Sequence, residues 1–204
     1  MDDQEILKHM QKSAREDVEY FSNSNKVGRE CWVVSEFLTV LGIEHNDDEL
    51  QSFEQESKVD VCFRSAQFQV KELTDPNLLR HKIYKDKFNS INAASSLEEI
   101  SLIGEAHDMT PISNMYELIL EKARDLANSE TYKALKSRID LLIYVTRKRA
   151  SLIQVHEIKS EDFSPLGWRS VSCVNSKQAV VLHSTQVAPK FIIDKSQQLM
   201  SNNG

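Results

Sequence analysis

Residues 139–145, Ile-Asp-Leu-Leu-Ile-Tyr-Val, constrain this chain more than any other stretch. A half-buried strand alternates apolar and polar residues, because successive side chains point to opposite faces. This run is apolar on both faces, with Asp140 near its start as the one charged residue. Its length and its boundaries predict a strand covered on both sides, as in the interior of an α/β sheet.

The flanking segments supply the rest of such a domain. Apolar positions at Ile6, Leu7, Met10, Ala14, Val18 and Phe21 predict a helix over 3–22, followed by a capping break in Ser-Asn-Ser-Asn-Lys-Val-Gly. A second helix is expected over 29–41, ended by Gly42. Residues 44–58 are acidic and polar and read as an exposed connection. Two short β-type runs, 59–63 and 67–73, separated by Arg64, Ser65 and Ala66, predict a hairpin. Asp75-Pro76 reads as the start of a basic amphipathic helix over 77–92, and a further helix is expected over 115–136. Strands are expected at 151–159, 168–174 and 179–184, and a closing helix at 189–199. There is no internal repeat. The order predicts an α/β domain with a mixed sheet over 25–204, preceded by an N-terminal helical extension over 1–24.

Composition narrows the function classes. With 204 residues, 40% hydrophobic and 27% charged, the chain is that of an ordinary globular protein of about one domain. No apolar run approaches the roughly 18 residues that span a bilayer, and the acidic start Met-Asp-Asp-Gln-Glu is unlike a signal or transit peptide. No membrane association is expected. Cys31, Cys62 and Cys173 lie far apart without a CxxC pair, which argues against a zinc ribbon or a disulfide scaffold and for a reducing, cytoplasmic setting. The net charge of -6 argues against coating nucleic acid by bulk charge, yet leaves room for a local basic groove.

Gly-rich phosphate loops, HExxH and GxSxG are absent, so the chemistry must come from carboxylates and lysines. Asp60 sits on the first hairpin strand and Gln69-Val70-Lys71 on the second. Residues two apart on a strand share a face, so a short hairpin brings the Asp60 carboxylate toward Gln69 and Lys71. Such a group suits phosphodiester cleavage with Mg²⁺ or Mn²⁺: oxygens hold the cation, which acidifies a bound water, and Lys orients it or stabilises the developing charge. Glu30, on the preceding helix, offers one more carboxylate. An alternative site of the same character joins Asp140 to Glu157 and Lys159 at the end of the next strand. Spacing leaves both sites open, and leaves open that each set is only a strand end and a solvated face.

A resemblance weighs between them. Val-Asp-Val-Cys-Phe-Arg-Ser-Ala-Gln-Phe-Gln-Val-Lys-Glu-Leu, the basic segment after Asp75-Pro76, the run 139–145 and Gly-Trp-Arg-Ser-Val-Ser-Cys-Val at 167–174 are similar to a little-characterised bacterial family of proposed endonucleases. That family is assigned to the PD-(D/E)xK, restriction-endonuclease-like fold. The resemblance covers about residues 29–191. It implies that Asp60 is the metal-binding acid, Gln69 the second acid position, Lys71 the catalytic lysine and Glu30 the acid on the first core helix. It thereby favours the Asp60 group over Asp140. Gln69 departs from the pattern, since a neutral amide removes one negative charge from the site. The implied activity is a Mg²⁺- or Mn²⁺-dependent nuclease with DNA as the favoured partner. The alternative is a nuclease-fold binding or regulatory module whose site has decayed; a homodimer and a protein–protein adaptor built on the N-terminal helix stay open.

Arg80, His81, Lys82, Lys85 and Lys87 make the helix after the hairpin basic. Arg80, Lys82 and Lys85, with Arg169, are candidate phosphate contacts, though a solvated helix face explains the same charges. Arg147, Lys148 and Arg149 read as an exposed turn, Trp168 as packing, the cysteines as small buried hydrophobes, and His183 as a hydrogen-bonded structural residue.

Overall fold

The structure is a computed structural model that describes residues 2–20, 22, 25–53, 58–75, 80–100, 112–147 and 150–201. Its helices are α1 (Asp3–Tyr20), α2 (Lys26–Val40), α3 (Arg80–Ala93), α4 (Met115–Asn128), α5 (Ser160–Phe163) and α6 (Lys190–Ile193). Its strands are β1 (Leu50–Ser52), β2 (Val61–Phe63), β3 (Ala66–Leu73), β4 (Asp140–Val145), β5 (Ser170–Val174), β6 (Gln178–Ser184) and β7 (Leu199–Ser201). Among the described residues no helix is long and apolar enough to cross a membrane.

Contacts divide the chain into residues 1–29 with 76–110, and residues 30–75 with 111–204. In the first unit α1 packs along α3. Gln11 reaches the carbonyl of Ile91 at 3.4 Å and Asp17 pairs with Lys87 at 3.5 Å, so the two helices run antiparallel. Leu7, Ala14, Ile91 and Ala94 are buried. α1, within the 1–24 extension expected from the sequence, shares its contact unit with α3.

The second unit carries one seven-stranded mixed sheet whose spatial order is the chain order, β1 to β7. β4 is central and parallel to both β3 and β5, and the remaining neighbours pair antiparallel. The doubly apolar run is therefore explained: alternate residues of β4 feed two cores. Leu141, Ile143 and Val145 join Ile119, Ala123, Phe163 and Trp168 on the α4 side. Leu142 joins Val34, Phe37, Leu38, Phe68 and Val70 on the α2 side. α4 starts where the Asn114 side chain accepts the Glu117 N–H, and its buried Met115, Tyr116, Ile119, Leu120, Ala123 and Ala127 form one stripe. α2 stops at Gly42, whose φ of 70° lets the Ile43 N–H turn back to the Leu38 carbonyl at 2.9 Å.

Some expected elements differ. The strand expected at 151–159 does not form; Val155–Glu157 is a short 3₁₀ turn. Gln178 takes the place of a strand neighbour there, accepting the Ile153 N–H at 3.2 Å and donating to the Ile153 carbonyl at 3.2 Å. With Ile153 bracketed by a side chain, no ladder propagates. The expected helix at 189–199 is only one turn, α6, before β7 adds an edge strand, and the expected helix at 115–136 ends at Asn128. β1 forms within the stretch read as an exposed connection.

A β-bulge sits where β5 meets β6: Val171 pairs with His183 and Ser172 with Val181, leaving Leu182 as the extra residue. A bulge re-aims the next side chain. His183 is buried, 6% exposed, with Nδ1 2.9 Å from Ser160 Oγ on α5. Burial pulls its pKa below the usual 6.5. The folded state thus resists the proton that the unfolded chain accepts, so the unfolded state binds more protons below pH 6.5 and stability falls as pH drops from there. Urea titrations between pH 7.5 and 5 should show this loss in the wild type and a flatter curve for His183→Gln. Equal slopes in both proteins would remove His183 from the account.

Candidate functional site

The hairpin of β2 and β3 builds the candidate site from its turn upward. Phe63 pairs with Ala66, Cys62 with Gln67 and Val61 with Phe68. Arg64, with a φ of 53°, stands in the left-handed region at the turn and is held there by its Nη2 donating to the Glu44 carbonyl at 2.9 Å. Beyond Val61 the ladder continues through the Asp60 N–H, which donates to the Phe68 carbonyl at 2.8 Å. Asp60 and Gln69 are thereby set opposite one another, and both are buried, 6% and 2% exposed. The Asp60 Oδ2 accepts the Val70 N–H at 2.8 Å and the Gln69 side-chain Nε2.

The faces of β3 sort the remaining candidates. Phe68 and Val70 enter the α2-side core, where the rings of Phe37 and Phe68 meet edge-on at 5.9 Å. Gln69 and Lys71 are in register with Leu141 and Ile143, which line the α4-side core. The Lys71 ammonium lies over the Tyr132 ring, 5.8 Å from its centroid, and Tyr132 in turn packs on Trp168. The structure thus brings Asp60 and Gln69 into contact and sets Lys71 two residues on along the same face. α2, which carries Glu30, packs its buried residues on the opposite face of the sheet from Gln69 and Lys71. Burial chiefly, and the charges of Glu30 and Asp47 after it, raise the pKa of the neighbouring Cys31 thiol.

The alternative site comes apart into separate sets of partners. Asp140 is fully buried. Its Oδ1 accepts Arg169 Nε at 3.0 Å and the Ser170 hydroxyl at 2.8 Å; its Oδ2 accepts the Gln67 N–H at 2.9 Å and Arg169 Nη2. Glu157 instead accepts the Asn114 amide at 2.9 Å and the Gln154 N–H at 2.7 Å. Lys159 is exposed, and its carbonyl accepts the Tyr116 hydroxyl at 3.0 Å. The strand that was expected to align Glu157 and Lys159 with Asp140 is the one that does not form.

Arg169, expected as a phosphate contact, spends its guanidinium on Asp140 and on the Ser65 carbonyl, with only 13% of its side chain exposed. Lys85 is exposed on α3, in the other unit; the side chains of Arg80, His81 and Lys82 lie outside the described residues, as do Lys148 and Arg149. Sequence reasoning missed the partnership of Asp140 with Arg169 and Ser170. The signal was present: a charge opening a fully apolar strand requires a buried partner, and an Arg-Ser pair opens the next strand.

The donor set can be tested against a divalent cation. Asp60 and the Gln69 amide oxygen are hard oxygen donors of the kind Mg²⁺ and Mn²⁺ take, and Mg²⁺ commonly uses one or two carboxylates with water and substrate phosphate filling the rest. Among the described residues no three His, Cys, Asp or Glu side chains gather as a cation site. The Gln69 amide would also have to turn its oxygen, rather than its nitrogen, toward the ion. The residues fit a weakly held cation completed by substrate and do not fit a cage made by the protein alone.

Comparison with known proteins adds a family and a fold. A family profile described as "Putative endonuclease, protein of unknown function (DUF1780)" matches residues 2–203. A search of curated proteins returns no match. Among solved structures, a protein of unknown function from Pseudomonas aeruginosa strain PAO1, named as of the monooxygenase superfamily, superposes with a TM-score of 0.61 at 20% identity. The alignment covers 100% of this chain and 98% of that one. At that identity the likeness speaks for the mixed α/β fold alone.

Proposed function

The chain belongs to the DUF1780 family, described as endonuclease-like proteins of unknown function, and on that premise we propose that it hydrolyses phosphodiester bonds of nucleic acid, DNA in preference to RNA, at Asp60, Gln69 and Lys71, with Mg²⁺ or Mn²⁺ as cofactor and within a restriction-endonuclease-like fold. The observation that carries the proposal is the buried Asp60 carboxylate meeting Gln69 across the hairpin, with Lys71 next along the same face. When bound, the cation supplies charge neutralisation and an acidified water. The chain's own residues do the rest. The Val70 N–H fixes the orientation of the Asp60 carboxylate. The Gln69 amide offers a neutral oxygen beside it. The Lys71 ammonium, its stem partly buried against the sheet, donates to a non-bridging oxygen of the scissile phosphate as charge develops there.

A second reading, a binding or regulatory module with a decayed site, draws on one specific observation: the Gln69 nitrogen already satisfies the carboxylate that would hold the ion. One set of measurements separates the two. Nuclease assays on single- and double-stranded DNA and RNA with Mn²⁺ should show cleavage that falls about 100-fold or more in Asp60→Asn and in Lys71→Ala, the range for a positioned catalytic group. Calorimetry should show Mn²⁺ binding tightened about tenfold in Gln69→Glu, as charge is added to the site. Wild-type rates in Lys71→Ala would move the chemistry elsewhere; no Mn²⁺ binding by either the wild type or Gln69→Glu would favour the module.

A further inference from the structure

Resting on that reading of the site, we propose that Asp140, Arg169 and Ser170 form a positioning clamp that sets the register of the hairpin carrying Asp60, Gln69 and Lys71. The Asp140 carboxylate has donors on both oxygens, and they come from the two strands that flank β4. Arg169 and Ser170 stand at the start of β5, the Gln67 N–H stands near the start of β3, and Asp140 itself opens β4. Arg169 also reaches past Asp140 to the Ser65 carbonyl in the β2–β3 turn, at 3.3 Å. The clamp therefore grips the hairpin at its turn and at a backbone amide two residues before Gln69. Cys62, which pairs with Gln67, senses the same charges: its thiol pKa is raised by burial first, then lowered by Arg169 and raised by Asp140.

The grip matters because a strand has a period of two. A slip of one residue would send Gln69 and Lys71 to the Phe37 side and bring Phe68 and Val70 into their place. A buried ion pair contributes little net stability compared with apolar packing of equal volume, and its best-attested use is to specify register. Here every donor to Asp140 belongs to the hairpin or to the next parallel strand, the two elements whose alignment places the site. Asp140 and Arg169 touch no reacting atom and are positioning residues.

The test is Arg169→Lys, which keeps the charge and loses the fork, read by amide hydrogen exchange and by kinetics. Exchange at Gln67, whose N–H binds Asp140, and at Val70, whose N–H binds Asp60, should speed at least tenfold, while amides in the middle of α4 stay within twofold. On nucleic acid with Mn²⁺, kcat should fall at least tenfold with KM unchanged. Gln67 speeding without Val70 overturns the clamp, because the disturbance then stops short of the site. Speeding at Val70 with kcat unchanged also overturns it. If the wild type cleaves nothing, the nuclease reading fails while the exchange data still decide whether the clamp holds the hairpin. Should Arg169→Lys not fold, Ser170→Ala removes one hydroxyl donor; a threefold rise at Gln67 and Val70 together supports the clamp, and no rise at Val70 overturns it.

Discussion

Trp168→Ala is expected to cost about 4–5 kcal/mol of unfolding free energy, at the top of the range for removing a buried Trp. Trp168 is fully buried in the α4-side core, with its indole N–H donating to the Ala123 carbonyl at 3.1 Å. Its ring packs on Tyr132 with centroids 5.6 Å apart. Truncation therefore opens a cavity and leaves the Ala123 carbonyl without that donor. Total stabilities run to about 5–15 kcal/mol, so the variant stands near the edge of folding. Trp168→Phe keeps much of the apolar area and loses the hydrogen bond, for about 1–3 kcal/mol. Urea unfolding of the two variants checks the ranking, and a loss under about 1.5 kcal/mol for Trp168→Ala would contradict the packing described. The effect should also reach the site, because the Tyr132 ring under the Lys71 ammonium rests on Trp168.

Asp140→Ala is expected to cost about 3–5 kcal/mol, since it strands a guanidinium that is largely buried beside the Ser170 hydroxyl and the Gln67 amide. The double variant Asp140→Ala with Arg169→Met removes both charges and should lose less than Asp140→Ala alone, because the uncompensated charge is gone. The coupling between the two positions, measured as a double-mutant cycle in urea, should reach about 1–3 kcal/mol. Additive losses would mean that the pair is not energetically joined.

How much of this was legible beforehand depends on which interactions carry each element. The central strand, α2, α4 and the β2–β3 hairpin followed from apolar periodicity and punctuation, because tertiary packing and local pattern agree there. So did the approach of Asp60 to Gln69, which needs only a two-residue turn and strand alternation. The segment 151–159 looked like a strand because Leu152, Ile153, Val155 and Ile158 are apolar. What decided it was one side-chain amide, Gln178, some 25 residues away, an interaction that no local pattern encodes. Which face of a sheet a helix covers is a property of the connection, and α2 covers the face opposite Gln69 and Lys71. Arg169, a candidate phosphate contact by its sequence, is the partner that a buried Asp140 demands. The grouping of α1 with α3 pairs segments separated by the whole hairpin, a distance over which hydrophobic periodicity says nothing about partners.

The agreement between chain order and strand order in the sheet bears on how the protein is made. Among the described strands none has to be threaded between two that are already paired. Each strand can therefore pair with the one before it as the chain lengthens, so the order of synthesis and the order of pairing agree. A chain that ended before β5 would leave β4, whose alternate residues feed both cores, as an open edge, and exposed apolar edges of that kind invite association.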